Sequence, residues 1–167
     1  MSDDMGIFIK LLSLAKCFRG LGVEELRELL NISSKATWQL GEQIFMEGDP
    51  GRDMYIICSG KVNIWRKSGG RKVSLANLAE GESFGEMGLV RGGERSAAAT
   101  ALEETVALRI DYERLHQAPL AAATLYKNLA KELAERLKIA NDIIIFQTQT
   151  GGDRPPLMTI GRRERIK

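Results

Sequence analysis

From Ala36 to Asp111 the chain is a succession of short apolar and β-branched runs, each cut off by a turn signal, and this restricts the fold more than any other feature. The runs are Ala36 to Leu40, Gln43 to Met46, Met54 to Ser59, Lys61 to Lys67, Arg71 to Leu78 and Thr105 to Asp111. Between them stand Gly41-Glu42, Asp49-Pro50-Gly51, Ser59-Gly60 and Ser68-Gly69-Gly70, whose residues tolerate positive φ or preset a turn. Many short strands at such regular spacing predict a sandwich or barrel of the jelly-roll kind.

The flanks read differently. Ile7, Leu11, Leu12, Leu14 and Ala15 recur near helical spacing, and Val23, Leu26, Leu29 and Leu30 do so after the Gly20-Leu21-Gly22 break. Residues 1–35 are therefore expected as covering helices, 36–111 as the barrel, 112–149 as a hinge and long helix, and 150–167 as a flexible basic tail, one domain in all. The class is mostly β with flanking helices, α+β. Asp111 can cap a short helix through Gln117, and Leu120 to Phe146 runs without Pro or Gly. Along it Ala123, Tyr126, Ala130, Leu133, Leu137, Ala140 and Ile144 step by three and four, while Leu125, Leu129, Ile139 and Ile143 widen the apolar face. Such a helix either packs on its own barrel alone or also meets its twin; the width of the face favours a homodimer.

With 44% hydrophobic and 28% charged residues in 167, the chain can bury a core. Lys plus Arg number 24 and Asp plus Glu 22, so no overall field holds it on nucleic acid or an anionic membrane. Cys17 and Cys58 lack metal-ligand spacing and suit reduced thiols in a cytoplasmic protein. The run Ile7 to Ala15 is broken by Lys10 and follows Asp3 and Asp4, so neither export nor a membrane span is expected. Catalysis is not expected either, since a cupin-type metal centre needs several histidines and the chain has His116 alone, with no Ser/His/Asp or Cys/His set. A haem-binding variant, through Cys58 or His116, is disfavoured on similar grounds.

One segment departs from strand alternation: Gly81 to Ala97. Glycines at 85 and 88 allow close backbone approach, a helical turn near Gly85 would aim amides at an anion, and Arg95 offers a planar fork matched to phosphate oxygens. Ser96 could complete the shell, and Glu86, set apart from the phosphate, could accept from sugar hydroxyls. The competing possibilities are structural. Ser83-x-x-Glu86 is also a capping box, Arg95 could be a solvated loop arginine, and neither a Walker loop nor a dinucleotide fingerprint is present.

Phe84-Gly85-Glu86-Met87-Gly88-Leu89 followed by Glu94-Arg95-Ser96-Ala97 resembles the phosphate-binding cassette of cyclic nucleotide-binding domains, sensor domains of bacterial catabolite activators and of the regulatory subunits of cAMP-dependent protein kinase. Gly41 to Asp49 and Met54 to Val62 look like that family's first strands and turn, so the resemblance runs over residues 7–146. It implies that Gly85 and Ser96 hold the cyclic phosphate beside Arg95, with amides near Gly85 and Ala97 contributing, that Met87 and Gly88 of the cassette belong to the same binding site, and that Glu86 binds the ribose 2′-hydroxyl. Ile64 and Leu75 would face the purine. By the same resemblance the long helix brings Ala140 and Asn141 to the base edge; Ala140 cannot hydrogen-bond, whereas Asn141 can donate and accept and so serves either purine. Ser96 in place of the Thr linked to cGMP in the family tilts the expectation to cAMP. DNA binding is not expected, because only about twenty residues follow where the activators carry their DNA-binding domain. The resemblance thus implies a stand-alone regulatory sensor for cAMP, or cGMP, with no metal, signalling by movement of the C-terminal helix to a homodimer partner or an effector protein. The alternative is a degenerate fold serving as a ligand-free dimerisation module.

Overall fold

The computed structural model describes residues 14–149, which fall into two units meeting between Leu129 and Ala130. In the first unit a 3-10 turn, Lys16–Phe18, precedes helix α1, Val23–Ile32. Eight strands follow: β1 Ser33–Trp38, β2 Gln43–Phe45, β3 Met54–Ser59, β4 Val62–Ser68, β5 Arg71–Leu78, β6 Ser83–Phe84, β7 Ala98–Ala101 and β8 Thr105–Ile110. Helix α2, Glu86–Arg91, lies between β6 and β7, and α3, Tyr112–Leu115, and α4, Pro119–Gln149, end the described chain. The helix expected over Ile7 to Ala15, apart from its last two residues, and the tail 150–167 lie outside the described residues.

The strands form two antiparallel four-stranded sheets ordered β1-β8-β3-β6 and β2-β7-β4-β5, each interleaving strands distant in sequence, which is the jelly-roll arrangement. The unbroken apolar run of β3 follows from its place inside its sheet, covered on both faces. Met54, Ile56 and Cys58 join a core shared with Leu29 of α1, Leu115 of α3 and Ala121, Leu125 and Leu129 of α4. Tyr55 and Ile57 point the other way, into a core between the sheets with Val62, Phe84, Ala99 and Ala107. Leu29, Ile56 and Leu125 are at most 1% exposed, and each contributes roughly 1.5–3 kcal/mol by leaving water.

Polar contacts fix α1 against the start of α4. Thr124 Oγ1 donates to Glu25 Oε1 at 2.8 Å, and Asn128 Nδ2 donates to the carbonyls of Cys17 (3.0 Å) and Arg19 (2.7 Å). Glu25 also accepts from the Gly22 amide, and that bond, then the one from Thr124, holds its carboxyl below the ordinary value. Asp111 caps α3 as its sequence position suggests, accepting from the Arg114 amide at 3.1 Å.

Two strands are absent from the sequence-based expectation. β7 reads Ala-Ala-Thr-Ala and has little strand propensity of its own, but its backbone is paired on both sides, by β2 and β4. β6 is a two-residue strand inside the Gly81 to Ala97 segment, paired to Tyr55 and Ile56. Also, β1 begins at Ser33 rather than Ala36, because Ser33 to Lys35 pair with Leu108 to Ile110 despite their polarity.

The second unit contains residues 130–149 of α4. Leu137 is 62% and Ile144 60% exposed, and Ile145 and Phe146 are exposed as well. Glu132 and Arg136 form an ion pair one turn apart at 3.9 Å.

Candidate functional site

Arg95 is drawn inward by a short ladder of main-chain bonds between residues 48–51 and 93–95. Its amide donates to the Asp49 carbonyl at 2.8 Å and its carbonyl accepts from Gly48 at 2.9 Å, while Gly51 donates to Gly93 at 3.0 Å. Pro50 and Glu94 form an antiparallel bridge between them. In this frame Arg95 is only 5% exposed, which excludes the solvated loop arginine.

The guanidinium lies over an aromatic floor. Its carbon stands 4.3 Å from the Phe45 ring centroid and 5.8 Å from that of Tyr55. Tyr55 in turn stacks on Phe84 at 5.1 Å and meets Trp38 edge-on at 5.4 Å. Arg95 Nη1 donates to two carbonyls, Asp53 at 2.5 Å and Gly85 at 3.2 Å. Its Nε is buried and, among the described residues, has no hydrogen-bond partner. The carboxylate in reach, Asp53 Oδ2, stands 4.0 Å from Nη2 and accepts instead from Arg109 Nε (3.0 Å) and Nη2 (2.9 Å).

Three glycines make room for this side chain. A Cβ on Gly51 would overlap Arg95 Nε, and one on Gly88 would overlap the Gly51 carbonyl and come within 2.9 Å of Arg95 Nη1. Gly85 has φ +77, and a Cβ there would lie 2.9 Å from both Arg95 Nη1 and the Asp53 carbonyl. Close approach was the expected reason for glycine at 85 and 88; what approaches in the structure is the arginine itself.

Burial lowers the Arg95 pKa from its ordinary value, opposed by the neighbouring Tyr55 and Asp53, and burial raises that of the Tyr55 phenol. An arginine does not lose its proton at neutral pH, so Arg95 is a buried cation that, among the described residues, has a spare donor and no carboxylate within hydrogen-bond distance. Such a group is suited to receive an anion, and its fork matches a phosphate.

The structure brings Gly85, Gly88 and Arg95 into contact, with Glu86 (7% exposed) and Met87 in the first turn of α2 between the two glycines. The N-cap of α2 is Gly85, and Ser83 lies in β6, so Ser83 does not cap the helix. Ser96 is exposed and Ala97 buried. Ile64 packs on the inter-sheet core together with Phe45 and Tyr55, the two rings under Arg95. Leu75 is 52% exposed and falls at the β4–β5 bulge, where the register shifts between Ile64 and Trp65. Asn141 is exposed and belongs to the second unit. Gly51, Asp53, Phe45, Tyr55 and Arg109 were not singled out from the sequence. Each comes from a strand or turn remote in the chain; the turn signal at Asp49-Pro50-Gly51 marked Gly51, and the expected strands contained Phe45, Tyr55 and Arg109, but nothing local gave any of them a place at the site.

The profile of the cyclic nucleotide-binding domain matches residues 36–119. The cyclic AMP receptor protein of Thermus thermophilus is 41% identical over 138 residues, 78% of this chain and 62% of that protein. Glutaminase 1 of Bradyrhizobium diazoefficiens is 38% identical over 138 residues, 78% of this chain and 21% of that protein. The chain thus spans less than two thirds of either relative. The crystal structure of the Thermus thermophilus catabolite activator protein matches with a TM-score of 0.73 at 36% identity, covering 80% of this chain and 63% of that one.

Proposed function

The chain belongs to the cyclic nucleotide-binding domain family, and from that premise we propose that it is a regulatory sensor whose ligand is cAMP in preference to cGMP. The observation that carries the proposal is the buried Arg95, with Nε unpartnered and the Asp53 carboxylate 4.0 Å away. A cyclic phosphate would supply the missing anion. In this reading Ser96 and the amides of Gly85, Met87, Gly88 and Ala97 complete the phosphate shell, and Glu86 accepts from the ribose 2′-hydroxyl. Ile64 and Leu75 line the base, and Asn141 reaches its edge. Ser96 and the resemblance to a cyclic AMP receptor favour adenine. The role proposed is binding rather than turnover; His116, the one histidine, is engaged edge-on with Tyr112 at 4.6 Å.

The signal would leave through α4. Binding orders the cassette and lets Ile139, Ile143 and Ile144 cover the base, which shifts the helix only insofar as the closed state binds more tightly than the open one. The exposed Leu137 and Ile144 lie on the seam expected to meet a second copy, so the output is a changed homodimer or effector surface. A ligand-free dimerisation module is the second reading, since that seam would serve it equally.

Isothermal calorimetry with cAMP and cGMP tests the proposal. Saturable heat with cAMP, tighter than with cGMP, supports it, and no heat from either nucleotide up to millimolar concentration overturns it in favour of the ligand-free module. Light scattering with Leu137→Glu tests the dimer: loss of dimer mass with cAMP binding retained is expected, and a wild-type protein of monomer mass refutes it.

A further inference from the structure

Resting on that nucleotide reading, we propose that Arg109, outside the cassette, sets the affinity for the nucleotide by occupying the Asp53 carboxylate, an internal competitor for Arg95. The register of β3 against β8 pairs Tyr55 with Arg109 and Met54 with Ile110, so Arg109 stands two residues along from Asp53, which immediately precedes β3. From there it places Nε and Nη2 on the single oxygen Asp53 Oδ2, at 3.0 and 2.9 Å. The same oxygen stops 4.0 Å short of Arg95 Nη2. Asp111 Oδ2 lies 3.9 Å from Arg109 on its other side.

The Asp53 side chain is 16% exposed and that of Arg95 4%, so a charge moving between them acts through little water. Arg95 is held by main-chain carbonyls, including that of Asp53 itself, so its position does not require the Asp53 carboxylate. What that carboxylate would do, if released by Arg109, is close the gap of 4.0 Å and take donors that an incoming phosphate needs. It would also repel the phosphate. Arg109 therefore acts as a positioning residue: it keeps a negative group turned away from the site while touching no ligand.

The test is a double-mutant cycle read by calorimetry with cAMP, and in parallel with cGMP, with thermal melts as a folding control. Arg109→Gln is expected to weaken cAMP binding by about three- to thirtyfold, a range moderated by the 44% exposure of Arg109. In an Asp53→Asn background the same substitution should change affinity by less than about twofold, because no competitor remains to be released. If Arg109 only stiffened β8, or only contributed its positive field, the weakening would persist in full in the Asp53→Asn background, which overturns the proposal. Unchanged affinity of Arg109→Gln overturns it too. Arg109→Lys keeps the charge with one donor centre; it should give a smaller loss, again abolished by Asp53→Asn, and it decides the question if the Gln variant does not fold. A wild-type protein that binds neither nucleotide overturns the nucleotide reading and this inference with it, whereas a binding wild type with an indifferent Arg109 overturns this inference alone.

Discussion

Two arginines in this molecule sit in opposite circumstances. Arg66, at the β4–β5 hairpin, is exposed and satisfied: its Nε and Nη2 both donate to Glu47 Oε1, at 2.8 and 2.5 Å. Arg95, in the cassette, is buried, rests on Phe45 and retains an unpartnered Nε. The tighter ion pair belongs to the exposed arginine. Water screens an exposed pair and the entropy of holding two long side chains offsets its attraction, whereas a buried cation without a full partner carries a standing cost that an arriving anion relieves. Binding capacity is thus read from what a charge lacks.

The sharpest way to break that contrast is to remove Arg95. Arg95→Ala should cost about 2–5 kcal/mol of cAMP affinity by calorimetry, with the melting transition retained. A loss well under 1 kcal/mol would mean that the contact is solvated and the site misplaced. Next in size is Gly88→Ala, whose methyl would meet the Gly51 carbonyl and Arg95 Nη1. Urea denaturation should show destabilisation of about 1–3 kcal/mol, with weaker nucleotide binding alongside. Phe45→Leu withdraws the ring beneath the guanidinium and should lower affinity by about 0.5–2 kcal/mol.

Smaller effects probe the satisfied side of the comparison. Glu25 has a lowered pKa in the folded state, so its contribution is present above its unfolded pKa and is lost as pH falls through the folded one. The melting-temperature difference between wild type and Glu25→Gln should therefore be open at about pH 6 and shrink progressively as the pH falls below the ordinary glutamate range. Arg66→Ala should leave both nucleotide affinity and the melting temperature unchanged; a clear loss of affinity would show that pairing alone does not exclude a binding role. Cys58 is buried, and desolvation pushes its thiol up to about 11, so it should react with a thiol reagent at pH 8 only on unfolding.

Six strands, the Asp111 cap and the long helix were legible because each depends on neighbours in the chain: a β-branched run, a turn residue, a repeat of three and four. β7 was not legible, since four residues reading Ala-Ala-Thr-Ala become a strand only through partners on both sides. The Gly81 to Ala97 segment stood out as a motif, and Arg95 with it. The surroundings that give Arg95 its properties were not, because Phe45, Gly51, Asp53 and Arg109 arrive from β2, the following turn, the residue just before β3, and β8.

The order of residues by itself determined where the chain turns, which segments extend or coil, and that an arginine would stand after a glycine-bearing turn. Only the tertiary structure decided that this arginine is buried, that three glycines are cut away around it and that its nearest carboxylate is held by another cation. The physical reason is range. Backbone preference acts over a few neighbouring residues, while desolvation and charge balance are set by whatever the fold brings within a few ångströms.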